Sequence, residues 1–259
     1  MYKNGSIYEG GFFNDCLTGY GRKLSCEGWM YLGNFVDGKR CGHGMAKYVS
    51  KQDIITFNNR PDDDDLELTY DYFYKGEWKN DHFNGLGVEE TTEFTYEGNF
   101  VDSVKSDTKA KWISKIDNSV YKGGVQNGII EGKGIQIFED QSVYEGEFEQ
   151  NNFHGRGIHL GADKLIYEGQ FKEGLKWGIG EQQLENKFWI KGRWIKGERQ
   201  EDAVKYNEDR KTIFGMVDKD GCQIIEKEID ISALKRKKER NSTDDFTITL
   251  SRTFEQVKL

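Results

Sequence analysis

The four histidines, His43, His82, His154 and His159, are the first residues to consider for acid–base or metal chemistry. Histidine titrates near neutral pH and its imidazole binds metals, so a chemical role needs a second ligand or base at a fixed spacing. None of the four forms a His-x-x-x-His or His–Cys ligand spacing. We interpret His82 and His154 as surface residues of hairpin turns, and we expect no catalytic residue and no metal site.

Paired glycines such as Gly155 and Gly157 suggest a phosphate-binding loop, but they lack its context. Such a loop needs a strand-to-helix turn with Gly-x-Gly-x-x-Gly or Gly-Lys-Ser/Thr, and the chain has neither. Glutamates also recur in Glu-Gly pairs, at Glu9, Glu97, Glu145 and Glu168. Carboxylates on equivalent units of a repeat cannot converge on one substrate, so we expect them on a solvated face. The sequence therefore predicts no enzyme and no cofactor.

The glycines belong to an internal repeat with a period of about 23 residues. Taking its leading aromatic as offset zero, offset two is glycine in all eight units, and six units carry glycines at offsets eleven and thirteen. Offset zero is Tyr8, Tyr31, Tyr74, Tyr96, Tyr121, Tyr144, Tyr167 and the non-aromatic Ile190. Offset four is Phe12, Phe35, Trp78, Phe100, Val125, Phe148, Phe171 and Trp194.

Each unit reads as a β-hairpin. Offsets zero, two and four share one face of a strand, because side chains alternate across the pleat. Glycine within a strand marks a close approach, and the second strand brings its own Gly-x-Gly, so we expect the aromatic rings to lie over bare backbone. Offset seven is Gly, Asn or Asp in seven units, the residues that tolerate positive φ in a tight turn. We predict an all-β fold, a single-layer antiparallel sheet of stacked hairpins shaped as an elongated, twisted trough.

This pattern of Tyr-x-Gly-x-Phe followed by Gly-x-Gly resembles the MORN repeat, over about residues 6 to 200. Of the 31 glycines, 24 fall at offsets two, seven, eleven or thirteen, so the resemblance covers most of the chain. It implies a non-enzymatic scaffold for protein–protein interaction in a cytoskeletal assembly, similar to ciliary radial-spoke proteins. It also implies a location in the cytoplasm and cytoskeleton, in a cilium or axoneme. The alternative is a membrane-proximal tether that binds acidic phospholipids.

Two units and one insertion depart from the pattern. The Tyr96 unit has Asp107 and Lys109 where the paired glycines should be, which indicates a kink or a docking site. The Ile190 unit has Glu201 and Ala203 there and reads as a closing repeat. An insertion at about residues 46–73 contains Pro61 and an acidic run, so it is either a loop, which we favour, or a degenerate repeat.

The periodicity divides the chain at about residue 204. We predict an array over residues 1–204 and a tail over 205–259 that caps the array or binds a partner. In the tail, Thr212–Val217 and residues 222–225 read as a hairpin, residues 231–240 as a short helix and residues 246–250 as an edge strand. A regulatory fragment of a SET-type lysine methyltransferase is a further hypothesis, but this tail lacks the cofactor motifs.

Composition restricts the class of partner. The formal charge of −8 argues against nucleic acid and against broad affinity for anionic membranes, although a local patch could still contact one. No apolar run of membrane-spanning length or signal-peptide core is present, which predicts a soluble intracellular protein. In such a protein we expect Cys16, Cys26, Cys41 and Cys222 to be reduced.

Other proteins of a large assembly are the predicted partners, through the aromatic face, the acidic insertion or the tail. The aromatic face has two readings, internal packing over glycine and a surface that grips a partner segment. The basic run from Lys235 to Arg240 likewise reads as a solvated helix end, a contact for an acidic partner or phospholipid, or a nuclear-localisation signal. The candidate partner-binding residues are Tyr121, Tyr144, Phe148, Tyr167, Phe171, Trp194, Lys235, Arg236, Lys237 and Lys238.

Overall fold

The computed structural model describes residues 5–49, 70–200, 203–218 and 223–230. These residues form twenty β-strands and no helix. The strands are β1 (Ile7–Phe13), β2 (Cys16–Leu24), β3 (Trp29–Val36), β4 (Lys39–Val49), β5 (Tyr70–Lys79), β6 (His82–Thr91), β7 (Phe94–Val101), β8 (Val104–Lys105), β9 (Asp107–Ser114), β10 (Val120–Gln126), β11 (Ile129–Ile137), β12 (Val143–Glu149), β13 (Asn152–Leu160), β14 (Ile166–Lys172), β15 (Leu175–Gln183), β16 (Trp189–Ile195), β17 (Glu198–Arg199), β18 (Ala203–Tyr206), β19 (Thr212–Val217) and β20 (Gln223–Asp230).

All twenty strands belong to one antiparallel sheet in which hairpin follows hairpin along the chain. The short strands β8 and β17 continue as β9 and β18, so they form the interrupted second strands of the fourth and eighth hairpins. The sheet is open, because β1 pairs only with β2 and β20 only with β19 among the described residues. The predicted all-β, single-sheet fold is confirmed.

Every one of the eight hairpins turns through two residues with positive φ. Offset six has φ of 46–53° and offset seven has φ of 60–87°. A two-residue turn with both central residues at positive φ is the type I′ turn, whose twist matches that of the paired strands. The prediction for offset seven is confirmed, and offset six shares the constraint. It is met there by Asn14, Asp37, Asn80, Asp102, Asn127, Gln150, Glu173 and Lys196.

The aromatic rings lie over bare glycine backbone, as predicted, but the two glycines of the Gly-x-Gly pair have different roles. Offset thirteen pairs with offset two, as Gly157 does with Gly146, and the tyrosine ring lies over both. The tyrosine units have seven glycines at offset two and six at offset thirteen. A Cβ at any of these thirteen would lie 2.2–2.7 Å from the tyrosine hydroxyl oxygen. Offset eleven instead has φ of 56–106° and starts a β-bulge that adds two residues to the second strand.

Each tyrosine hydroxyl is anchored at this bulge. In all seven tyrosine units it donates a hydrogen bond to the carbonyl of offset three, at 2.8–3.2 Å. That carbonyl lies where the ladder register shifts, so the hydroxyl ties the tyrosine ring to the bulge. Burial raises the pKa of Tyr31 to about 12 and also raises the pKa of Tyr144. The phenol therefore remains a protonated donor at neutral pH.

A second layer over the tyrosines comes from offset nine, a position that our prediction did not use. Phe153 stacks on Tyr144 and Phe83 on Tyr74, each with ring centroids 3.7 Å apart. In another unit a lysine takes the place of this aromatic, and the Lys176 ammonium lies 4.8 Å from the Tyr167 ring centre. The tyrosines are consequently 0–4% exposed from the second unit onward.

Neighbouring hairpins are joined by two recurring contacts. The offset-four ring packs edge-on against the tyrosine of the preceding unit, as Phe148 does on Tyr121 at 5.1 Å and Phe171 on Tyr144 at 5.0 Å. At all seven junctions the offset-seven N–H donates to the offset-nine carbonyl of the preceding unit, at 2.8–3.1 Å. Each unit therefore depends on its neighbours, as expected for a quasi-one-dimensional array.

The predicted segment boundaries need adjustment. Strand β4 pairs directly with β5, and their ladder extends to the Val49–Tyr70 pair. Residues 46–49 and 70–73, which we assigned to the acidic insertion, are therefore strand residues, and residues 50–69 lie outside the described residues. The predicted boundary at 204/205 falls inside β18, which pairs with both β16 and β19.

In the tail, the predicted hairpin is confirmed as β19 and β20. The predicted helix at 231–240 and edge strand at 246–250 lie outside the described residues.

Candidate functional site

The fourth hairpin breaks the repeat differently from what fixed-offset counting indicated. Between the Phe100–Lys105 and Glu97–Lys111 pairs, the second strand carries three extra residues where other units carry two. The residue that replaces the second glycine is therefore Ala110, which is fully buried and pairs with Gly123. The substitutions at Asp107 and Lys109 belong to an enlarged bulge.

Asp107 holds this enlarged bulge in shape. Its carboxylate accepts hydrogen bonds from the backbone N–H of Asn99 and of Lys109, both at 2.8 Å. The Asn99 side-chain amide donates to the carbonyl of Ser106 at 3.2 Å. The carboxylate thus accepts the hydrogen bonds of two backbone N–H groups, which carbonyl groups accept in a regular strand pair. The bulge is therefore held in a defined conformation by side-chain hydrogen bonds within the fourth unit.

An open groove of about 720 Å³ lies beside the bulge, on the face opposite the tyrosines. A neighbouring hollow of about 520 Å³ shares Asp107 and Thr108 with it. The groove crosses β6, β7, β9 and β10, and its floor includes the bare backbone of three glycines. The lining residues are Leu86, Gly87, Val88, Glu97, Gly98, Asp107, Thr108, Lys109, Lys111, Lys122 and Gly123. The groove could accept an extended segment of another molecule.

Two lysines in this groove are directly opposed. Lys111 pairs with Lys122 across β9 and β10, and Lys109, in the bulge next to Ala110, lines the same groove. Like charges directly opposite each other in a sheet are destabilising. Within the described part of the chain, no ion pair involves Lys109, Lys111 or Lys122.

A like-charged pair elsewhere in the sheet is handled differently. Glu168 pairs with Glu181 across β14 and β15. Arg210 lies 2.7 Å from Glu168 and 3.2 Å from Glu181, and Lys191 lies 2.9 Å from Glu181. The chain supplies counter-charges to its paired glutamates. In the groove Glu97 lies opposite Lys111 across β7 and β9, but within the described ranges it forms no ion pair with Lys111, and no carboxylate forms one with Lys122.

Comparison with protein families identifies the hairpins. The MORN repeat model matches residues 31–51, 74–91, 121–143, 144–165 and 167–186. These five segments correspond to hairpins that the structure places in one register. The chain is a MORN-repeat protein. The Tyr8, Tyr96 and Ile190 units fall outside the matched segments, although their hairpins pair into the same sheet.

The chain was also compared with curated proteins and with solved structures. No curated protein matches the chain. Among solved structures, the wild-type TCP10 domain of Danio rerio CPAP and its E1021V mutant each match with 7% identity and a TM-score of 0.44, covering 87% of this chain and 96% of that domain. The same domain in complex with a peptide of Danio rerio STIL matches with 12% identity and a TM-score of 0.33, covering 86% and 99%. These scores lie below 0.5, and the function proposed below rests on other observations.

The aromatic residues predicted to contact a partner form part of the core of the MORN sheet, so the structure supports internal packing, the first of the two readings of the aromatic face. Their side chains are 0–5% exposed, because glycine backbone lies below each tyrosine and offset-nine side chains lie above. They have no surface for a partner in this structure. The residues are Tyr121, Tyr144, Phe148, Tyr167, Phe171 and Trp194. The basic candidates Lys235, Arg236, Lys237 and Lys238 lie outside the described residues.

All four histidines lie in strands of the MORN hairpins, which corrects the placement of His82 and His154 in turns. His82 is the first residue of β6, and His154 lies within β13, 2.8 Å from Glu149. His43 is an exposed residue of β4. His159 differs from these because it is half-buried in β13.

His159 predicts a pH dependence of stability. Burial lowers its pKa, the nearby Lys176 lowers it further, and Asp140 and Asp163 oppose the shift. The unfolded chain therefore binds this proton more readily, so the associated stability is present above about pH 6.5 and is lost as pH falls through the depressed pKa. We expect His159→Gln, which copies Gln136 and Gln182 of the adjoining units, to lose less stability than wild type between pH 7.5 and 5 in urea titrations. Identical losses in the two chains would contradict this.

The described ranges were also searched for disulfides, metal sites and membrane-spanning helices. Cys16, Cys26 and Cys41 are free thiols there, and Cys222 lies outside the described residues. No group of three His, Cys, Asp or Glu side chains within these ranges is placed to hold a metal ion. A search of the same residues for a helix long and apolar enough to cross a membrane finds none.

Proposed function

We propose that this chain is a non-enzymatic scaffold that binds protein partners within a cytoskeletal assembly, and that its setting is a ciliary or axonemal assembly of the radial-spoke type. The setting is what the resemblance to MORN proteins implies. The lysine pair in the groove of the fourth unit is the observation that carries the binding proposal. It points to an acidic segment of a partner protein as the occupant.

The electrostatic argument uses the chain's own paired glutamates as its reference. Where Glu168 opposes Glu181, cations within 3.2 Å remove the repulsion. Where Lys111 opposes Lys122, a carboxylate from another molecule would do the same. Charge complementarity of this kind contributes specificity and association rate more than raw affinity. The net charge of −8 also restricts attraction of acidic partners to a local basic surface such as this groove.

The shape of the groove suits an extended backbone. The groove crosses four adjacent strands, so its length accommodates an extended segment; the glycines Gly87, Gly98 and Gly123 in its floor would carry any side chain on the opposite, tyrosine face. Leu86 lies at the rim with 64% of its surface exposed and offers an apolar contact beside the lysines. An acidic segment that carries an occasional apolar residue would match both features.

Crosslinking of the native assembly tests this function. The wild-type chain and a Lys109→Glu, Lys122→Glu double variant would be expressed in the source cells, crosslinked, and recovered for mass spectrometry. We expect crosslinks from the groove to acidic segments of cytoskeletal or axonemal proteins. The double variant should recover these partners with at least about a tenfold loss, because it places two acidic groups where the partner's carboxylates would bind.

The matched control is Lys39→Glu with Lys79→Glu, which makes the same change in charge at two exposed lysines outside the groove. It should retain the partners. Recovery of wild type only as a free monomer would overturn the scaffold proposal. Equal partner loss in both double variants would overturn the assignment to the groove.

A further inference from the structure

The first hairpin leaves exposed the offset-four side chain, which every other unit buries. The offset-four side chain is 1–5% exposed in units two to eight, where it packs against the tyrosine of the preceding unit. In the first unit, Phe12 contacts its own Tyr8 at 5.1 Å but is 57% exposed. Phe13, on the opposite face of the same strand, is 68% exposed. The array therefore presents two uncovered aromatic rings on its first strand, one on each face.

The strand that carries these rings is also a free edge. Among the described residues β1 pairs only with β2, so the other side of its backbone is available for hydrogen bonding. Proteins protect such edges with charged residues, and β20 at the other edge has Glu226, Lys227, Glu228 and Asp230 among its eight residues. Strand β1 has one charged residue, Glu9, and Arg22 lies 2.6 Å from it.

We propose that β1 pairs with β1 of a second copy of this chain, antiparallel and about a two-fold axis at Gly10. The two sheets then join into one continuous sheet. A two-fold interface uses the same surface on both subunits, so the strand must be complementary to itself. Gly10 is the middle residue of the seven in β1, which allows the whole strand to pair.

The side chains that this pairing places opposite each other favour its register. Pairing Gly10 with Gly10 of the partner subunit places Phe12 of the partner subunit opposite Tyr8, and Phe13 of the partner subunit opposite Ile7. Cross-strand aromatic pairs, and aromatic with β-branched pairs, are stabilising, and both uncovered rings are used. The register with Gly10 opposite Gly10 also extends the row of paired glycines that runs through the array, where Gly10 already pairs with Gly21.

Strand pairing about an axis at either neighbouring residue, Glu9 or Gly11, would be less favourable than pairing about Gly10. An axis at Glu9 would oppose the two Glu9 carboxylates, which is a repulsive like-charge pair. An axis at Gly11 would place Phe12 opposite Gly10 and would leave Tyr8 without a strand partner in the other copy. The axis at Gly10 instead opposes Glu9 with Gly11 of the partner subunit, where no side chain meets the carboxylate.

One pair of seven-residue strands makes a small interface. Interfaces below about 1,200 Å² belong to weak and transient complexes, so the dimer should dissociate on dilution. For a chain of 30.0 kDa, we expect the mass measured by sedimentation velocity to rise toward double between about 1 and 100 µM. Hydrogen–deuterium exchange at the two ends of this range should show added protection of β1 amides at high concentration and unchanged exchange in β20.

A charge in place of the uncovered ring tests the surface. Phe12→Lys should remain monomeric over the whole range, because it removes both Phe12–Tyr8 ring pairs of the two-fold interface and puts an ammonium that must lose its hydration in place of each. Ile179→Lys is the matched control, since Ile179 is 53% exposed in the seventh unit and far from β1 along the array. It should dimerise like wild type.

Each outcome bears on the proposal. A wild-type chain that stays monomeric at 100 µM, or a dimer whose added protection lies outside β1, would overturn it. The exchange experiment uses the unmodified chain, so its result stands even where Phe12→Lys perturbs folding. Self-association is independent of the lysine groove: the Lys109→Glu, Lys122→Glu variant should still dimerise, so failure of either proposal is recognised separately.

Discussion

Replacing Phe148 by alanine will lower the free energy of unfolding of the central hairpins by about 3–5 kcal/mol. Phe148 is 3% exposed and packs edge-on against Tyr144 of its own unit and Tyr121 of the preceding one, each at 5.1 Å. Truncation removes both contacts and leaves a cavity at the junction between two hairpins. With a urea m value of about 2–3 kcal/mol/M, the unfolding midpoint followed by circular dichroism should fall by about 1–2 M.

The repeat supplies a control for this change at the same offset. Phe12→Ala removes the same atoms from a ring that is 57% exposed, so at a protein concentration below 1 µM it should lower stability by less than about 1 kcal/mol. Because each hairpin contacts mainly its neighbours, hydrogen exchange in Phe148→Ala should rise most between β10 and β15. Equal midpoint shifts for the two variants would show that coverage by the preceding unit does not determine the contribution of this ring.

Gly157→Ala should destabilise the same region by about 3 kcal/mol, at the upper end of the usual range for overpacking. A Cβ at Gly157 would lie 2.5 Å from the Tyr144 hydroxyl oxygen and 2.6 Å from the nearest ring carbon. The Tyr144 ring cannot yield easily, because it is fully buried under Phe153 and its hydroxyl donates to the carbonyl of Glu147 at 2.9 Å. Urea titration followed by circular dichroism measures the loss.

A second glycine substitution separates this clash from a general intolerance of change. Gly128 lies in a turn with φ of 77°, and a Cβ there meets nothing within 4 Å. Gly128→Asn introduces the residue that the Tyr144 unit already has at this offset, and asparagine tolerates positive φ. We expect a change within about 0.5 kcal/mol. If Gly157→Ala were as mild as Gly128→Asn, the proposed packing of tyrosine on the glycine row would be wrong.

The hairpins, their turns and the single sheet could be predicted because those features follow from local rules. Alternation across the pleat assigns Tyr144, Gly146 and Phe148 to one face, and Gly, Asn or Asp at offset seven marks the turn. Both outcomes are what the structure has. The roles of Gly155 and Gly157 could not be distinguished in the same way. A glycine needed for positive φ and a glycine needed for lack of a Cβ are the same letter in a sequence.

The candidate site was only partly predictable. The sequence located the irregular unit through the missing glycines, but an enlarged bulge shifts every later residue, so fixed offsets pointed to Lys109 where Ala110 lies. The opposition of Lys111 and Lys122 depends on that shifted register. The two readings of the aromatic face could not be separated from the sequence, because the cover over the tyrosines comes from offset nine. The long side chains at that offset, such as Phe83, Arg40 and Lys176, were a signal that could have been used.

The direction of the ladder determines how the array would respond to mechanical load. Antiparallel ladder hydrogen bonds run perpendicular to the strands, and in a meander of hairpins that direction is the long axis of the array. Tension between the two ends of the chain would act along these bonds and would open one strand pair at a time, beginning at an end. Load applied along the strands would instead shear many bonds together. A scaffold of this construction is therefore suited to holding side-on attachments and yields readily when it is stretched from its ends.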